Sequence, residues 1–386
     1  MSAGALRLTG RPLQLRRAWS RAGAQRPPDY LFLVATVSVL LIVGVVMVLS
    51  ASSVSSMTNY GSAWYFWQRQ LIWSGLGITA FVVMSRIDYH VWRRFVVPLL
   101  VISGALLVLV LVPGIGIEVY GSRRWLGVGW FRIQPVEIAK LALLIYAADL
   151  LTRRQRQIGD WRRSVRPVLA MFALFGMLVM LEPDMDSTIV LALIAGATLV
   201  VGGVRIRHLV LVGGIGAGVA AIAAVAEPYR RTRVFAYLHP WDDPGNTGYQ
   251  ISQSLIALGS GGWTGVGLGD GRAKWMFLPN AHTDFIFAII GEELGFLGCM
   301  LVVGLFAAFA IVGARIASRA RDRFGMLLAA GVTVWVVGQA LINIGAVIGL
   351  LPVSGITLPF VSFGGSALLF TMAGAGLLGN VARQAR

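Results

Sequence analysis

The chain has 386 residues, of which 57% are apolar and only 13% are charged, and its mean hydropathy is +0.75. Soluble domains carry about 25% charged residues, so this composition excludes a disordered chain, a coiled coil and an ordinary soluble enzyme. The net charge of +16 would suggest nucleic-acid binding in a soluble protein. In a membrane protein the same excess collects in cytoplasmic loops, so we expect no nucleic-acid partner. The single cysteine, Cys299, excludes an intramolecular disulfide.

Apolar segments dominate the chain after a polar, arginine-rich tail at residues 1–29. Ten of them approach the length of roughly 20 residues that a membrane helix needs. Their predicted ranges are 30–49, 66–84, 95–112, 135–151, 166–181, 187–203, 208–226, 284–313, 325–350 and 357–380. The sequence therefore predicts an all-α polytopic membrane protein with one membrane domain at 30–380 and a second short tail at 381–386.

The distribution of Lys and Arg predicts the orientation of these segments. With ten crossings, the N-terminal side carries 23 basic residues and the opposite side carries 8. Basic loops stay inside, so we expect both termini in the cytoplasm. The outer side then holds the tryptophan-containing loops 113–134 and 227–283, the second of which separates segments seven and eight. A loop as long as 227–283 is usually functional when it is rich in aromatic residues.

Ionisable side chains at membrane depth are functional candidates by default. Glu137 and Lys140 are three residues apart and share one helix face. They form either a structural ion pair or a polar wall for an anionic substrate. Arg124 lies in an outer loop, against the charge trend. It either contacts lipid headgroups or pairs with phosphate, for which the guanidinium fork is suited.

A short outer turn before the sixth segment contains Glu182, Asp184 and Asp186. One interpretation is a helix cap, because acidic side chains accept hydrogen bonds from the first free N–H groups of a helix. The other is a divalent-cation site, because carboxylate oxygens are the ligands that Mg²⁺ and similar ions prefer.

The eighth segment begins at Asp284, where an acidic side chain is favoured by the helix dipole. Glu292 and Glu293 follow inside the same segment and are interpreted as helix-packing anchors or as further cation ligands. The last two segments are joined by 351–366, which contains two prolines and three glycines. Such a segment predicts irregular re-entrant backbone, which membranes tolerate only where protein or a watery cavity surrounds it.

Several stretches of the chain together resemble the SEDS family of polytopic bacterial cell-wall proteins. They are Gly121-Ser-Arg-Arg-Trp-Leu-Gly-Val-Gly129, Gln134-Pro-Val-Glu-Ile-Ala-Lys140, Pro240-Trp-Asp-Asp-Pro244, Gly248-Tyr-Gln250, residues 253–262, residues 281–295 and residues 351–366. These stretches are distributed over nearly the whole chain. Residues 240–244 and 253–258 are more similar to the division members of the family than to the elongation members.

The resemblance implies a peptidoglycan glycosyltransferase of the bacterial cytoplasmic membrane, with an active site facing outside. It implies that lipid II is polymerised together with a class B penicillin-binding protein, a transpeptidase, and with other division or elongation proteins. The aspartate of the family's His-Thr-Asp stretch is the catalytic residue, which here is Asp284. Around it we expect substrate contacts from six residues: Arg124, Glu137, Lys140, His282, Ser362 and Ser366. The sequence assigns no certain cofactor, and a divalent cation, Mg²⁺ or Mn²⁺, is the candidate.

The chain departs from the family where Glu182-Pro-Asp-Met-Asp186-Ser187 replaces the usual Gln-Pro-Asp-x-Gly-Thr. An acid in place of glycine is expected to distort the turn or to add a cation ligand. Two other functions stay open, a lipid II flippase and a non-catalytic scaffold that recruits the transpeptidase. A flippase needs polar groups through both leaflets, whereas these candidates concentrate on the outer side. A scaffold predicts that Asp284 is dispensable.

Overall fold

The computed structural model describes residues 27–119, 121–211, 213–214, 216, 218, 237, 240–246, 248–275 and 277–385. Most of this part of the chain is helical. Its helices are α1 Pro28–Tyr60, α2 Tyr65–Arg86, α3 Val96–Leu111, α4 Pro135–Arg153, α5 Arg166–Leu181, α6 Met185–Val201, α7 Tyr249–Ser260, α8 Ile286–Ser318, α9 Arg323–Val347 and α10 Ser366–Gln384. The tail at 1–26, most of the predicted segment 208–226 and most of 227–239 lie outside the described residues.

Nine of the ten predicted apolar segments are occupied by these helices, with some changes of boundary. The first helix continues eleven residues past the predicted end at 49, to Tyr60, where Gly61 in the left-handed conformation (φ 70°) ends it. The last helix begins at Ser366 instead of 357. Pro359 and the left-handed Gly365 (φ 47°) keep the preceding segment out of the helix.

Five helical segments of the described chain are long and apolar enough to cross a membrane: Pro28–Tyr60, Tyr89–Leu111, Trp161–Leu181, Ile286–Ser318 and Arg323–Val347. Peripheral helices also expose apolar side chains, such as Ile42 (62% exposed) and Val97 (68% exposed), whereas Trp335 in α9 is completely buried. Exposed apolar surface on this scale requires a hydrocarbon surrounding. The structure is that of a multi-pass membrane protein.

The loop 113–134 forms a small antiparallel sheet, so the all-α prediction is wrong in this part. Its strands, β1 Ile117–Val119, β2 Ser122–Val128 and β3 Phe131–Ile133, pair in the order β1-β2-β3. Gly121 and Gly129 adopt the positive φ angles that the two tight turns require. The β2–β3 hairpin leans on α2, where Phe131 stacks on Trp73 with 4.8 Å between ring centroids.

The long loop 227–283 contains a helix that hydropathy did not indicate, α7. It packs on α8, and Ser254 Oγ donates a hydrogen bond of 2.8 Å to the Val347 carbonyl at the end of α9. The short amphipathic segment is too polar to resemble a membrane span. Its apolar side is covered only after the distant helices have assembled.

Helix α8 is interrupted at Gly295, which has φ 64° and ψ −165°. The segment 261–267 fills the break, since the amides of Val266 and Gly267 donate to the Glu292 and Glu293 carbonyls at 3.0 and 3.1 Å. In return, the amides of two residues after the break, Phe296 and Leu297, donate to carbonyls of that segment at 2.9 and 3.2 Å. Irregular backbone within a membrane helix therefore has its hydrogen bonds satisfied by protein.

Loops that the charge count assigned to the same side contact one another. At the arginine-rich end, Arg93 pairs with Asp149 at 2.7 Å and Arg319 pairs with Asp29 at 2.8 Å. At the other end the sheet, the 182–184 turn, the 280–285 loop and the 351–365 segment meet.

Candidate functional site

Asp284 lies at the arginine-poor end of the bundle, in a tight turn two residues before α8 begins at Ile286. The prediction that Asp284 starts the helix is therefore slightly displaced. The turn is built on Asn280, which has φ 56° and whose carbonyl accepts the amide of Thr283 at 3.0 Å. Asp284 is partly exposed, while its neighbour Phe285 is buried and anchors the turn.

The segment between α9 and α10 holds this turn in place. Ser362 Oγ donates to the Thr283 carbonyl at 2.5 Å, and the Phe363 amide donates to the His282 carbonyl at 3.0 Å. The predicted irregular backbone at 351–366 is confirmed for 351–365. This segment and the 280–285 loop form one surface around Asp284.

A second carboxylate, that of Asp186, faces the same place. Its Oδ2 accepts a 2.8 Å hydrogen bond from the amide of the exposed Gly355. A Cβ atom at Gly355 would lie 3.5 Å from Asp186 Oδ2 and 3.9 Å from Asp284 Oδ2. Two partly exposed carboxylates on separate elements therefore border one solvent-facing residue, which makes this the candidate reaction site.

Near Asp186 the positive φ angle, 29°, belongs to Pro183 in the preceding turn and not to Asp186 itself. Asp186 is the second residue of α6, and it is not among the described residues with left-handed φ angles. An acid in the first turn of a helix is favoured by the dipole. The side chain instead gains a structural contact with the 351–365 segment.

Substitution Asp186→Gly is expected to lower the free energy of unfolding by about 1–2 kcal/mol, because the charged hydrogen bond to the Gly355 amide is lost and glycine weakens a helix. Asp186→Asn keeps an acceptor oxygen and is the matched control, with a smaller loss. Thermal unfolding of the purified proteins measures the difference. A more stable Asp186→Gly protein would contradict this contact.

The capping interpretation of the acidic turn is confirmed for Asp184. Its carboxylate accepts the Ser187 amide at 3.0 Å, the Ser187 hydroxyl at 2.8 Å and Gln134 Nε2 at 3.0 Å. Glu182 is completely buried, and its carboxylate has no hydrogen-bond partner among the described residues. Burial, with the Asp184 charge as a smaller cause, raises the pKa of Glu182 to about 9. Glu182 is therefore protonated at neutral pH.

These properties do not fit a divalent cation at the turn. Mg²⁺ and similar ions bind accessible carboxylate oxygens, whereas Glu182 and Asp184 are both buried and the Asp184 oxygens already accept three hydrogen bonds. Within the described part of the chain, no group of three or more His, Cys, Asp and Glu side chains is arranged to hold a metal ion.

Arg124 ties the sheet to the same turn. Its Nε donates to the Glu182 carbonyl at 3.1 Å, its Nη2 donates to the Pro183 carbonyl, and its Nη1 lies 3.9 Å from Asp184 Oδ1. Ser122 Oγ donates to the same Glu182 carbonyl at 2.5 Å. The guanidinium group is occupied by protein partners. The structure therefore favours a structural role, in which Arg124 fastens the sheet to the 182–184 turn, over a role in binding a phosphate group. We call this contact the Arg124 latch.

Substitution Arg124→Lys tests this latch, because lysine keeps the charge and loses the fork. We expect the free energy of unfolding to fall by about 1–2 kcal/mol, which is the magnitude of a charged hydrogen bond on a partly exposed side chain. The matched variant Ser122→Ala, which removes a neutral donor to the same carbonyl, should lose less. Wild-type thermal stability combined with reduced turnover in Arg124→Lys would instead assign the side chain to phosphate.

Glu137 and Lys140 form the structural ion pair that was one of the two predictions. Lys140 Nζ donates to Glu137 Oε1 at 2.7 Å, and both side chains are buried. The Lys140 Nζ also lies 5.9 Å from the centroid of the Trp335 ring. The Trp335 indole donates to Gln339, whose amide donates to the Thr357 carbonyl at 3.0 Å. The pair is thus a buried structural element and not a substrate wall. It lies beside Trp335, which is connected to the 351–365 segment through Gln339.

His282, Ser362 and Ser366 likewise act inside the protein. The His282 ring packs on Phe66 with 4.4 Å between centroids, and burial lowers its pKa to about 4, so the ring is neutral. Ser362 and Ser366 are buried, and the Ser366 hydroxyl accepts the Gln134 amide at 3.0 Å. Both hydroxyls hold loops together within the protein, and the contact of the two serines with substrate stays a prediction.

Glu292 and Glu293 are packing anchors, as predicted. The Glu292 carboxylate accepts the amides of Arg272 and Ala273 at 2.7 and 3.1 Å. Glu293 Oε1 pairs with Lys274 Nζ at 3.0 Å and accepts Ser50 Oγ of α1 at 2.6 Å. Both carboxylates fasten the loop before α8 to the helices.

Sequence reasoning missed Lys274, Gln339 and Asn343. Asn343 in α9 is buried, and its Nδ2 donates to the carbonyls of Asp284 and Ile356, both at 2.7 Å. Polar side chains within an apolar segment were a usable signal for Gln339 and Asn343, because such groups need partners in a membrane. Lys274 gave no such signal, since it stands in a polar loop.

The fold and the site define a multi-pass membrane protein with carboxylates gathered at one end. A family profile described as "Cell cycle protein", covering FtsW, RodA and SpoVE, matches residues 30–386. The chain belongs to this family.

Relatives and solved structures are consistent with that membership. Stage V sporulation protein E of Bacillus subtilis is 42% identical over 93% of this chain and 98% of its own length. The probable peptidoglycan glycosyltransferase FtsW of Geobacter metallireducens is 40% identical over 88% of this chain and 90% of its own length. A solved structure of a peptidoglycan synthase complex that coordinates polymerization and crosslinking contains a chain with TM-score 0.74 and 29% identity, over 91% of this chain and 96% of that one. The crystal structure of Thermus thermophilus RodA gives TM-score 0.65 and 28% identity, over 91% and 95% of the chains.

Proposed function

We propose that this chain is a peptidoglycan glycosyltransferase of the bacterial cytoplasmic membrane that polymerises lipid II with Asp284 as general base. The observation that carries the proposal is the position of Asp284, which is partly exposed and held between the 280–285 loop and the 351–365 segment. The names of the FtsW relatives support the enzyme class. Their similarity supports a role in septal synthesis over elongation.

In the proposed reaction, the Asp284 carboxylate removes the proton from the acceptor sugar hydroxyl. The freed oxygen bonds to the anomeric carbon of the donor, as the bond from that carbon to the diphosphate oxygen breaks. Undecaprenyl diphosphate leaves with the electron pair. A general base must lie within hydrogen-bond reach of the hydroxyl, and the exposed Gly355, where a Cβ atom would lie 3.9 Å from Asp284 Oδ2, marks the solvent-facing side of this carboxylate.

We further propose ten crossings with both termini in the cytoplasm, so that the site opens on the outer surface. The separate contact networks at the two ends of the bundle support this arrangement, together with the 23 to 8 distribution of basic residues. A class B penicillin-binding protein is the proposed partner. Its support is the similarity to a chain of a complex in which polymerization and crosslinking are coordinated.

The test is polymerisation of fluorescent lipid II by the purified full chain, alone and with its transpeptidase. Glycan strands that appear only with this chain, and that persist when the transpeptidase is acylated by a β-lactam, support the proposal. A flippase would instead move labelled lipid II across liposomes without making polymer. A scaffold would make no polymer and still bind the transpeptidase.

A further inference from the structure

Asn343 occupies an unusual position in α9. Its side chain is only 1% exposed and lies within a long apolar helix. Its Nδ2 is 2.7 Å from the Asp284 carbonyl and 2.7 Å from the Ile356 carbonyl. Because both of these carbonyl oxygens are acceptors, the side-chain atom between them must be the amide nitrogen, which donates one hydrogen to each. One side chain thus joins the two segments that form the candidate site.

The oxygen atom of the Asn343 amide, unlike the nitrogen, has no hydrogen-bond partner among the described residues. This atom, Oδ1, is buried. A buried acceptor without a partner is unfavourable, so packing alone would favour a smaller or apolar residue at this position. The benefit of the asparagine therefore lies in its two donated hydrogen bonds.

Contacts elsewhere in the site hold different residues. Ser362 and Phe363 bind the carbonyls of Thr283 and His282, which precede Asp284. Gln339, one turn earlier on α9, donates to the Thr357 carbonyl and accepts from Trp335. Gln339 therefore holds the same 351–365 segment through Thr357, whereas Asn343 also binds the Asp284 carbonyl, so Gln339 provides a matched control on the same helix.

We propose that Asn343 is a positioning residue that sets the place of the Asp284 carboxylate relative to the 351–365 segment. This inference rests on the proposed function, because it assigns to Asn343 an effect that is exerted only through Asp284. Loss of the two Asn343 hydrogen bonds lets the 280–285 turn move relative to Gly355. A displacement of about 1 Å at a catalytic group costs around 10²-fold in rate.

The test measures kcat and KM for lipid II polymerisation by the full chain with its transpeptidase. The variants are Asn343→Ser, Asn343→Asp, Gln339→Leu, Asp284→Asn and the double variant Asn343→Ser/Asp284→Asn. For Asn343→Ser we expect kcat to fall about 10²-fold with KM nearly unchanged. Gln339→Leu should lose less kcat than Asn343→Ser, because it releases the Thr357 carbonyl but leaves the hydrogen bond to the Asp284 carbonyl intact. In the Asp284→Asn background, Asn343→Ser should cause almost no further loss, because coupled residues are not additive.

Several results would overturn the inference. They are a wild-type kcat for Asn343→Ser, an equal loss of kcat in Gln339→Leu, or a multiplicative loss in the double variant. Asn343→Asp keeps the shape but replaces the donor NH2 by a carboxylate oxygen that, when ionised, donates no hydrogen bond, so either folded variant suffices, and failure of both to fold would assign Asn343 to stability alone. If Asp284→Asn is fully active, the proposed function and this inference fall together. If Asp284→Asn is inactive and Asn343→Ser is active, only this inference falls.

Discussion

Asp284→Asn is expected to lower the rate of lipid II polymerisation by about 10²–10⁴-fold, the range typical of general-base assistance. Asparagine has nearly the size and polarity of aspartate but cannot accept the proton. The Asn343 hydrogen bond should survive, because it is made to the Asp284 main-chain carbonyl and not to the side chain. The loss should therefore appear in kcat, with expression and membrane insertion unchanged.

Asp284→Glu is the companion variant. It keeps the carboxylate but moves it by one methylene, and a misplacement of about 1 Å can cost around 10²-fold. We therefore expect little activity in this protein also. Binding of the transpeptidase, measured by copurification, should be retained in both variants. Near wild-type polymerisation by purified Asp284→Asn would refute the catalytic assignment and favour the flippase or scaffold.

Lys274→Met is expected to destabilise the folded protein by about 3–5 kcal/mol, because removal of one partner leaves the other charge buried and uncompensated. Lys274 Nζ lies 3.0 Å from Glu293 Oε1, and the two side chains are 4% and 0% exposed. The same nitrogen also donates to the Gly269 carbonyl and reaches Ser50 Oγ at 3.3 Å. One lysine thus connects the loop, α8 and α1.

The double variant Lys274→Met/Glu293→Gln is the control for this prediction. It removes both charges and keeps an acceptor for Ser50, so we expect it to recover much of the lost stability. Denaturant titration of the purified proteins in detergent gives both values. Equal loss in the single and double variants would show that the pairing of charges is not the cause.

Hydropathy predicted the helices well because the length of an apolar run is a local property of the chain. The sheet at 117–133 could not be predicted in this way, since its strands are short and Ser122 and Arg124 are held by carbonyls of a turn some sixty residues later. Family resemblance placed Asp284 at the site. The roles of Ser362 and Ser366 could not be deduced, because a buried hydroxyl and a substrate-binding hydroxyl have the same sequence signature.

The break in α8 has a consequence for how the protein is made. In an unbroken helix the Phe296 amide would bond to the Glu292 carbonyl, whereas here both bond to the segment 261–267. Until that segment docks, a break at Gly295 would leave these groups unsatisfied in hydrocarbon, at several kcal/mol each. Glycine can adopt either conformation. We therefore expect α8 to enter the bilayer straight and to bend only afterwards, so that this end of the bundle reaches its final structure in a step later than insertion.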